Sequence, residues 1–456
     1  MHDGSLDAAG TYAEPTADTP MNMEFIARLD TDPSERRGIG TWCREIYWRL
    51  CLRPKNLLDP ASPLGQHVLI PIYYAIRLVF FTARDWLPVR RQRGISLWRQ
   101  LADQWALMCQ YRTDPSVYYS SQLYDQPRGI REIEDYVGRD EIKNGLMKQL
   151  HGLQPKIYGR RISLGNKLAF TQHCRGGDLP VASLICVVDR GHWRFEGDSG
   201  QGADGQAADY RRLDENIFVK PVKARGARGA EWFDWLGDDR YRNKQGRELS
   251  RVDVISYINR KSRREAILVL QKLVNHAEIG DLAKDSLMVF RIFTCLDAWQ
   301  QPHVTHAMLR ILAKLEPSWP ESIEYAARVD LSTGRLGELC DDYHFAPDAW
   351  WDHHPTTGVA VKGRLISQWP NIVELATTAH RRFVDRTIIG WDIALTDQGP
   401  ILIEGNAYPD THFMQRVHRQ FIGKSPMAPL LRQHLSRLAA HGPTIPPRGV
   451  EAVQVS

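Results

Sequence analysis

The sequence lacks the patterns that mark secreted, zinc-binding or covalently catalysing proteins. Its seven cysteines stand singly, with no CxxC pair and no Cys/His cluster at zinc spacing. An odd number of scattered cysteines indicates a reducing cytoplasm rather than a disulfide framework. The first residues, MHDGSLDAAGTYAEPTADTP, are polar and lack the apolar core of a secretory signal. There is also no GxSxG signature and no GxxxxGK[ST] phosphate loop, so we expect a cytoplasmic protein without a covalent nucleophile or a P-loop.

A long uninterrupted apolar run is missing too. The nearest candidate, HVLIPIYYAIRLVFFTARDWL at 67–87, is interrupted by a proline and two arginines, so it falls short of the roughly 20 apolar residues that span a bilayer. The basic cluster RRQR follows at 90–93. Two interpretations stay open for residues 67–93: peripheral contact with a membrane surface, as for basic, aromatic-rich helices, or a helix that is buried or faces a partner enzyme.

Composition and length point to an ordinary globular protein of more than one domain. The chain has 456 residues, of which 43% are hydrophobic and 25% charged, and this length predicts two or three domains. The formal net charge of +5 is small. It comes mainly from clusters such as RKSRR at 260–264, which favour solvated basic faces over anionic ligands. We expect no nucleic-acid partner.

The periodicity of apolar residues divides the chain into a helical part and a mixed part. Residues 41–150 have helical spacing, and within GISLWRQLADQWALMCQYR the side chains of Trp98, Leu101, Trp105 and Leu107 or Met108 are predicted to line a core-facing side. From LPVASLICVVD onward, strands and helices alternate. A long helical pattern covers 303–328, and a further helix is predicted near 371–387.

The stretch IFVKPVKARGARGAEWF, at 217–233, is the first candidate for phosphate binding. A lysine ends an apolar strand, and a loop with Gly226 and Gly229 follows, where small residues let backbone N–H groups approach a phosphate. An exposed basic hairpin is the alternative. Positive charge around the loop comes from Lys223, Arg225 and Arg228.

The apolar run AILVLQKLV is the candidate for binding a base. The backbone N–H and C=O groups of an extended hinge at Gln271, Lys272 and Leu273 could bind an adenine. Glu278 would then be the acid on the ribose, with Asp281 as its rival. Many hydrophobic strands would look the same, so this pattern predicts little by itself.

The stretch GWDIALTDQGPILIEGNAYPD carries the sharpest signal. Glu404 and Asn406 lie two residues apart, so on a strand they share a face, and Asp392 lies on the preceding strand of a hairpin that turns at TDQG. Three oxygen-bearing side chains would then converge, as magnesium requires. The alternative is that Asp392 merely ends a strand and that EGN is a turn. Asp397, within TDQG, is assigned to the turn itself.

In chain order these pieces resemble the ATP-grasp superfamily. The succession of QKLVNH, VFRIFT, HHPTTGVAVKGRLISQW and GWDIALTDQGPILIEGN is similar to the sugar-transfer-associated ATP-grasp family, which is linked by inference to cell-surface polysaccharide synthesis, and to alpha-L-glutamate ligase-like proteins. The resemblance covers about 155–435. It departs from the commonest pattern in the two arginines of the glycine-rich loop.

The resemblance implies a fold and a set of site residues. The fold would be α+β, with two α+β subdomains clasping ATP after a helical N-terminal region. Lys167 and Lys220 look like the two phosphate lysines, the residues Gln271 to Leu273 like the hinge, and Arg291 like the arginine that neutralises the phosphate. Magnesium would be held by Asp392, Glu404 and Asn406. The implied boundaries are 1–40 (disordered tail), 41–150 (helical region), 151–270 (first subdomain), 271–440 (second subdomain) and 441–456 (flexible tail).

The implied chemistry is ATP- and magnesium-dependent ligation of a carboxylate to an amine through an acyl phosphate. The substrates would be small molecules, a sugar or polysaccharide precursor or an amino acid among them. His353, His354 and Lys362, with His276 as a weaker candidate, could reach those substrates or could be ordinary surface residues. Two other hypotheses stay open: a kinase that phosphorylates a hydroxyl, and a non-enzymatic docking protein with a degenerate ATP site.

Overall fold

The computed structural model describes residues 38–47, 68–138, 145–155, 163–197, 210–223, 229–283, 286–312, 324–342 and 347–441. In these ranges the chain forms two β-sheets with helices packed around them, which is the predicted α+β class. The strand pairs within both sheets are antiparallel. No helix in the described ranges is both long and apolar enough to cross a bilayer.

Helices and strands are numbered here in chain order. The α-helices are α1 (Ile39–Ile46), α2 (Ile70–Arg93), α3 (Leu97–Cys109), α4 (Val117–Ser120), α5 (Met147–Gly152), α6 (Lys167–Arg175), α7 (Arg251–Ser262), α8 (Ala277–Gly280), α9 (Trp369–Arg382), α10 (Thr411–His418) and α11 (Met427–His441). The strands are β1 (Leu184–Asp189), β2 (His192–Phe195), β3 (Ile217–Pro221), β4 (Glu231–Gly237), β5 (Arg240–Asn243), β6 (Glu248–Ser250), β7 (Ile267–Gln271), β8 (Val289–Leu296), β9 (Pro302–Leu312), β10 (Glu324–Val329), β11 (Leu336–Asp341), β12 (Ile388–Thr396) and β13 (Gly399–Asn406).

The first sheet has seven strands in the order β2-β1-β7-β3-β4-β5-β6. Helix α7 begins at a capping box, in which the side chains of Ser250 and Asp253 each accept the other's backbone N–H, and this satisfies two N–H groups that have no partner inside the helix. Its apolar side packs on one face of the sheet, where Val254 and Ile258 meet Val219. Strand β3, which carries Lys220, is held between β7 and β4.

The second sheet has six strands in the order β11-β10-β9-β8-β12-β13. Helix α9 covers one face of it, and helices α1, α5, α10 and α11 cover apolar residues of β8, β9, β10 and β12 on the other. Every residue of β12 is buried, as expected for a strand covered on both sides. A carboxylate in such a strand is costly unless it has partners.

The helix predicted over 303–328 is wrong. The described residues of that segment form strands β9 and β10, which pair with each other. Both strands lie within the sheet and bury residues on both faces. They therefore lack the strict alternation of a half-buried strand, and their apolar positions fall by chance at helical spacing.

The inward orientation predicted for the tryptophans of α3 is also wrong. Trp98 is 80% exposed and Trp105 is 61% exposed. The opposite side of the helix faces the protein and carries Gln100, Gln104 and Leu107. Periodicity had grouped the tryptophans on one side correctly, but it could not tell which side faces inward.

The hairpin predicted around TDQG is present. Asp392 on β12 is the pairing partner of Glu404 on β13, and the strands connect through a turn that contains Asp397. Gly399, which follows the turn, has a φ of 98°, a conformation that favours glycine.

Several predictions fall mostly outside the described residues. Of the predicted tail at 1–40, only 38–40 are described, and Ile39 already begins α1. Of 441–456, only His441 is described. The domain boundaries stay a prediction.

Candidate active site on the six-stranded sheet

A row of charged side chains crosses five neighbouring strands of the second sheet. Asp392 on β12 is paired with Arg291 on β8 and with Glu404 on β13. Arg310 on β9 lies two residues from the pairing partner of Arg291, and Glu324 on β10 lies two residues from the pairing partner of Arg310. Residues two apart on a strand share a face, so all five side chains lie on one face.

The charges in this row are paired with one another. The guanidinium of Arg291 donates to both oxygens of Asp392, with Nη2 2.9 Å from Oδ2. Arg310 Nη1 lies 3.4 Å from the same Oδ2, and its Nη2 donates to Glu324 Oε2 at 2.7 Å. Burial raises the pKa of Asp392, but the two guanidinium groups outweigh it and hold that pKa below its usual value. Asp392 is therefore ionised at neutral pH.

The strand end EGN presents two polar side chains from one face. Asn406 Nδ2 donates to Glu404 Oε1 at 3.3 Å, which fixes the amide with its oxygen available. A Cβ on Gly405 would come within 2.9 Å of the side chains of Leu164 and Trp391. The residue between the acid and the amide must therefore be small.

Two lysines are carried by elements outside the six-stranded sheet. Lys220 lies on β3, and Lys167 is the first residue of α6. The side chain of Asn166 caps that helix by accepting the N–H groups of Leu168 and Ala169, each at 3.1 Å. The helix leads into LPV, the setting that the family resemblance implies for Lys167.

The two lysines come together beside β13. Helix α6, which begins at Lys167, packs against β13, and the N–H of Lys167 lies 3.5 Å from Val222 O, two residues after Lys220. Burial lowers the pKa of Lys220 to about 8; the ammonium of Lys167 lowers it as well, whereas the carboxylate of Glu404 raises it. Burial also lowers the pKa of Lys167, against the opposite effect of Glu404 and Glu265. The lysines and β13 therefore meet at one place, where two cations face an acid. A bound polyanion would stabilise both ammonium groups in their charged form.

The oxygen atoms near β12 and β13 fit a hard divalent cation. Two carboxylates and one amide oxygen are the ligand types that magnesium takes from proteins, with water and substrate phosphate completing the shell. No group of three or more His, Cys, Asp or Glu side chains suited to a metal occurs in the described part of the chain. The candidate set Asp392, Glu404 and Asn406 contains only two acids, and both oxygens of Asp392 already accept hydrogen bonds from Arg291, so a bound cation would have to share or displace that pairing. Its role as the magnesium site stays a prediction.

The predicted hinge, residues 271–273, lies between the two sheets, and part of its backbone already makes hydrogen bonds. The N–H of Gln271 donates to Ser183 O at 2.9 Å, and that of Lys272 donates to Asn216 O at 2.8 Å. Within the described ranges, the N–H of Leu273 shows no such bond. Of the three predicted residues, only Leu273 thus offers its backbone N–H to an adenine. The side chain of Lys272 is paired with Asp234 on β4.

Glu278 and Asp281, the rival ribose acids, lie on and just after α8. Glu278 Oε2 accepts the N–H and the hydroxyl of Ser367 at 3.2 and 2.6 Å. Its other carboxylate oxygen is buried and has no hydrogen-bond partner in the described structure. Asp281 is paired through both oxygens with Arg364. One oxygen of Glu278 is therefore without a partner in the described structure, whereas both oxygens of Asp281 are engaged; Glu278 as the ribose acid stays a prediction.

The glycine-rich loop is described only at its two ends. Gly226, Arg225 and Arg228 lie outside the described residues. The backbone N–H of Lys223 donates to the carboxylate of Glu265, and Gly229 has a φ of 73°. That φ favours glycine where the loop enters β4.

Of the side chains considered as substrate contacts, His354, Lys362 and His276 have structural partners, whereas His353 is exposed. His354 is buried, and its Nδ1 accepts the N–H groups of Thr356 and Thr357. Lys362 is exposed and lies 3.3 Å from Glu338 and 3.1 Å from Asp352. His276 caps α8 through Nδ1. These contacts favour an ordinary structural role over substrate binding.

Sequence reasoning missed Arg310 and Glu324, the outer members of the charged row. Arg310 stands in the apolar run HVTHAMLRIL, and Glu324 begins EYAARV. A charge inside an apolar strand was the signal that identified Asp392. The same signal would have identified these two had the segment been predicted as strands.

Comparison with known proteins agrees with this geometry. Residues 149–424 match the protein family described as sugar-transfer associated ATP-grasp. This match covers more than half of the chain and includes both lysines, the hinge and the charged row. None of the curated proteins matches the chain.

Solved structures with a similar fold share little sequence with the chain. They include VanG D-Ala:D-Ser ligase from Enterococcus faecalis, at 12% identity and a TM-score of 0.35 over 60% of this chain and 61% of the other. D-alanine-D-alanine ligase from Coxiella burnetii matches at 11% identity and a TM-score of 0.31 over 60% and 56%. N5-carboxyaminoimidazole ribonucleotide synthetase, in its ADP complex, matches at 10% identity and a TM-score of 0.32 over 55% and 47%. The chain thus spans about half to three fifths of the length of these structures.

Proposed function

The chain belongs to the sugar-transfer associated ATP-grasp family, and from this premise we propose that it is an ATP- and magnesium-dependent carboxylate–amine ligase. One observation carries the proposal: helix α6, which begins at Lys167, packs against β13, the strand of Glu404, and its first N–H reaches Val222 just after Lys220, although β3 and β13 belong to different sheets. Cations on one side and acids on the other are what a magnesium-bound triphosphate requires.

Each charged group has a role in this proposal. Lys167 and Lys220 bind phosphate oxygens, and Arg291 neutralises the transferred phosphoryl group. Asp392, Glu404 and Asn406 would hold magnesium, which when bound would supply positive charge to the phosphate oxygens. Phosphoryl transfer needs mainly positioning and charge neutralisation from the protein, and paired, buried side chains supply both.

The proposed reaction has two steps. The substrate carboxylate attacks the γ-phosphorus of ATP, which forms an acyl phosphate and releases ADP. The amine then attacks the acyl carbon, the C–O bond to phosphate breaks, and inorganic phosphate leaves as the amide forms and the amine loses a proton. The family description suggests a sugar or polysaccharide precursor as one substrate, and an amino acid is the other class that we propose.

We place the reaction in the cytoplasm, where ATP is supplied. Cys174, Cys186 and Cys340, which lie in the described part of the chain, are free thiols. This fits a reducing compartment.

The test is a screen of carboxylates with amines, including amino acids, amino sugars and uronic acids. We expect phosphate release that needs ATP, magnesium, a carboxylate and an amine together, with a product one condensation heavier by mass spectrometry. A stable phosphorylated product formed without an amine would instead identify a kinase. Substrate-independent ATP hydrolysis with no product would also count against the ligase.

A further inference from the structure

Exposed apolar side chains are concentrated on one part of the helical region. Of the 14 large hydrophobic side chains that are exposed in the described structure, nine belong to residues 68–105. Single exposed apolar residues are normal on a soluble protein, whereas a contiguous group marks an interaction surface. This group lies on and next to helices α2 and α3.

On α2 the exposed residues form a single stripe. Leu69, Ile72, Ile76, Val79 and Phe80 are all exposed, and steps of three and four residues place them on one side of the helix. The opposite side is buried and carries Thr82, Asp85 and Val89. The stripe therefore faces away from the protein.

Helix α3 has the same arrangement. Trp98 and Trp105, seven residues apart, lie on its exposed side, opposite the buried residues Gln100 and Gln104. The tryptophans thus extend the apolar surface to the second helix.

The inward sides of both helices carry buried polar groups beside the apolar residues Val89 and Leu107. Gln104 Nε2 donates to Thr82 Oγ1 at 2.9 Å, and Gln100 Nε2 donates to Ile95 O at 2.9 Å. The hydroxyl of Tyr119 donates to Gln100 Oε1 at 2.9 Å. A helix pair that faces water would place these polar groups outside and the apolar groups inside. The observed order suits an apolar medium on the outer side.

The charged side chains beside the stripe indicate that this apolar medium is a membrane surface. Arg90 and Arg91 continue the exposed side of α2 beyond the stripe, and neither has an ion-pair partner among the described residues. The remaining arginines of the two helices are paired: Arg77 with Asp114, Arg84 with Asp85, Arg93 with Asp125 and Arg99 with Asp103. Two unpaired cations beside an apolar, aromatic-rich stripe complement anionic phospholipid headgroups above acyl chains.

We propose that the outer face of α2 and α3 docks on a membrane surface that contains anionic phospholipid. The apolar stripe and the tryptophans enter the headgroup boundary, and Arg90 and Arg91 contact the headgroups. The proposal is independent of the ligase reaction, because docking needs neither ATP nor substrate.

The test is co-sedimentation of the full chain with phosphatidylcholine vesicles, with and without phosphatidylserine. We expect binding to the phosphatidylserine vesicles that weakens with salt. Ile76→Asp, and the pair Arg90→Glu with Arg91→Glu, should each reduce binding about tenfold or more. Val252→Asp, which changes an exposed valine on α7, is the matched control and should leave binding unchanged. Because all four positions are exposed, melting curves should match that of the parent protein.

Three outcomes would overturn the proposal. The first is no binding to either kind of vesicle. The second is binding that Ile76→Asp leaves unchanged. The third is a dimer in solution that Ile76→Asp dissociates, since a second copy of the chain would then be the natural occupant of the face.

Discussion

On the six-stranded sheet, five charged side chains lie buried or half-buried in a row, whereas around helices α2 and α3 nine large apolar side chains lie exposed. Both regions depart from the usual distribution of residues, in opposite directions. Buried charge is costly unless it is paired, and a contiguous exposed apolar surface favours association. In our proposals, the first region binds a charged ligand and the second docks on an apolar surface.

The largest expected effect lies in the charged region. Glu404→Gln and Lys220→Ala should each lower ATP turnover about 1000-fold, because each removes a charge that faces the phosphates. Turnover is measured as phosphate release with the carboxylate–amine panel. Asp397→Asn makes the same chemical change as Glu404→Gln in the turn of the same hairpin and should leave turnover unchanged. Near-normal turnover in either site variant would show that the assigned site is wrong.

The hairpin that carries these acids is the part that sequence predicted best. Asp392 and Glu404 interrupt apolar runs, and the turn residues between them fix the pairing, so a local pattern was enough. Arg310 and Glu324 were missed because 303–328 was predicted as a helix, so a charge inside an apolar strand, the signal that identified Asp392, was not looked for there. The tryptophans of α3 were assigned to the wrong side because periodicity groups residues without giving the direction of the core.

The second expected effect is on stability. Arg310→Met leaves the buried carboxylate of Glu324 without its partner, and we expect a loss of about 3 kcal/mol in the free energy of unfolding. Adding Glu324→Gln to Arg310→Met should restore part of the lost free energy of unfolding, because the neutral amide needs no cationic partner. Arg99→Met breaks the pair with Asp103 on the exposed side of α3 and should cost less than about 0.5 kcal/mol. Urea denaturation measures the free energy of unfolding of the two single variants and the double variant. Equal losses from Arg310→Met and Arg99→Met would contradict the claim that the buried pair matters more than the exposed one.

The third effect is on pH dependence. Burial and Lys167 lower the pKa of Lys220 to about 8, so its ammonium is charged below that pH and neutral above it. A bound triphosphate raises that pKa, so ATP binding should take up a proton above pH 8 and almost none at pH 6.5, with uptake approaching about one proton at pH 9. Calorimetry in buffers of different ionisation enthalpy measures the uptake. Lys220→Arg stays charged and should abolish it; unchanged uptake in that variant would assign the proton to another group.

The smallest effect is expected on the apolar face. Trp98→Ser should change the free energy of unfolding by less than about 0.5 kcal/mol, because the indole is exposed. Leu107→Ala, on the buried side of the same helix, should cost about 3 kcal/mol. If thermal or urea unfolding showed comparable losses of stability in the two variants, Trp98 would be part of the core.

The most direct test of the central claim is calorimetric titration of ATP into the full chain, with magnesium and with a chelator. If Lys167 and Lys220 bind phosphate beside a magnesium site at Asp392, Glu404 and Asn406, ATP should bind strongly with magnesium, weakly with the chelator, and not at all to Glu404→Gln. Absence of ATP binding, or equal binding with and without magnesium, would contradict it.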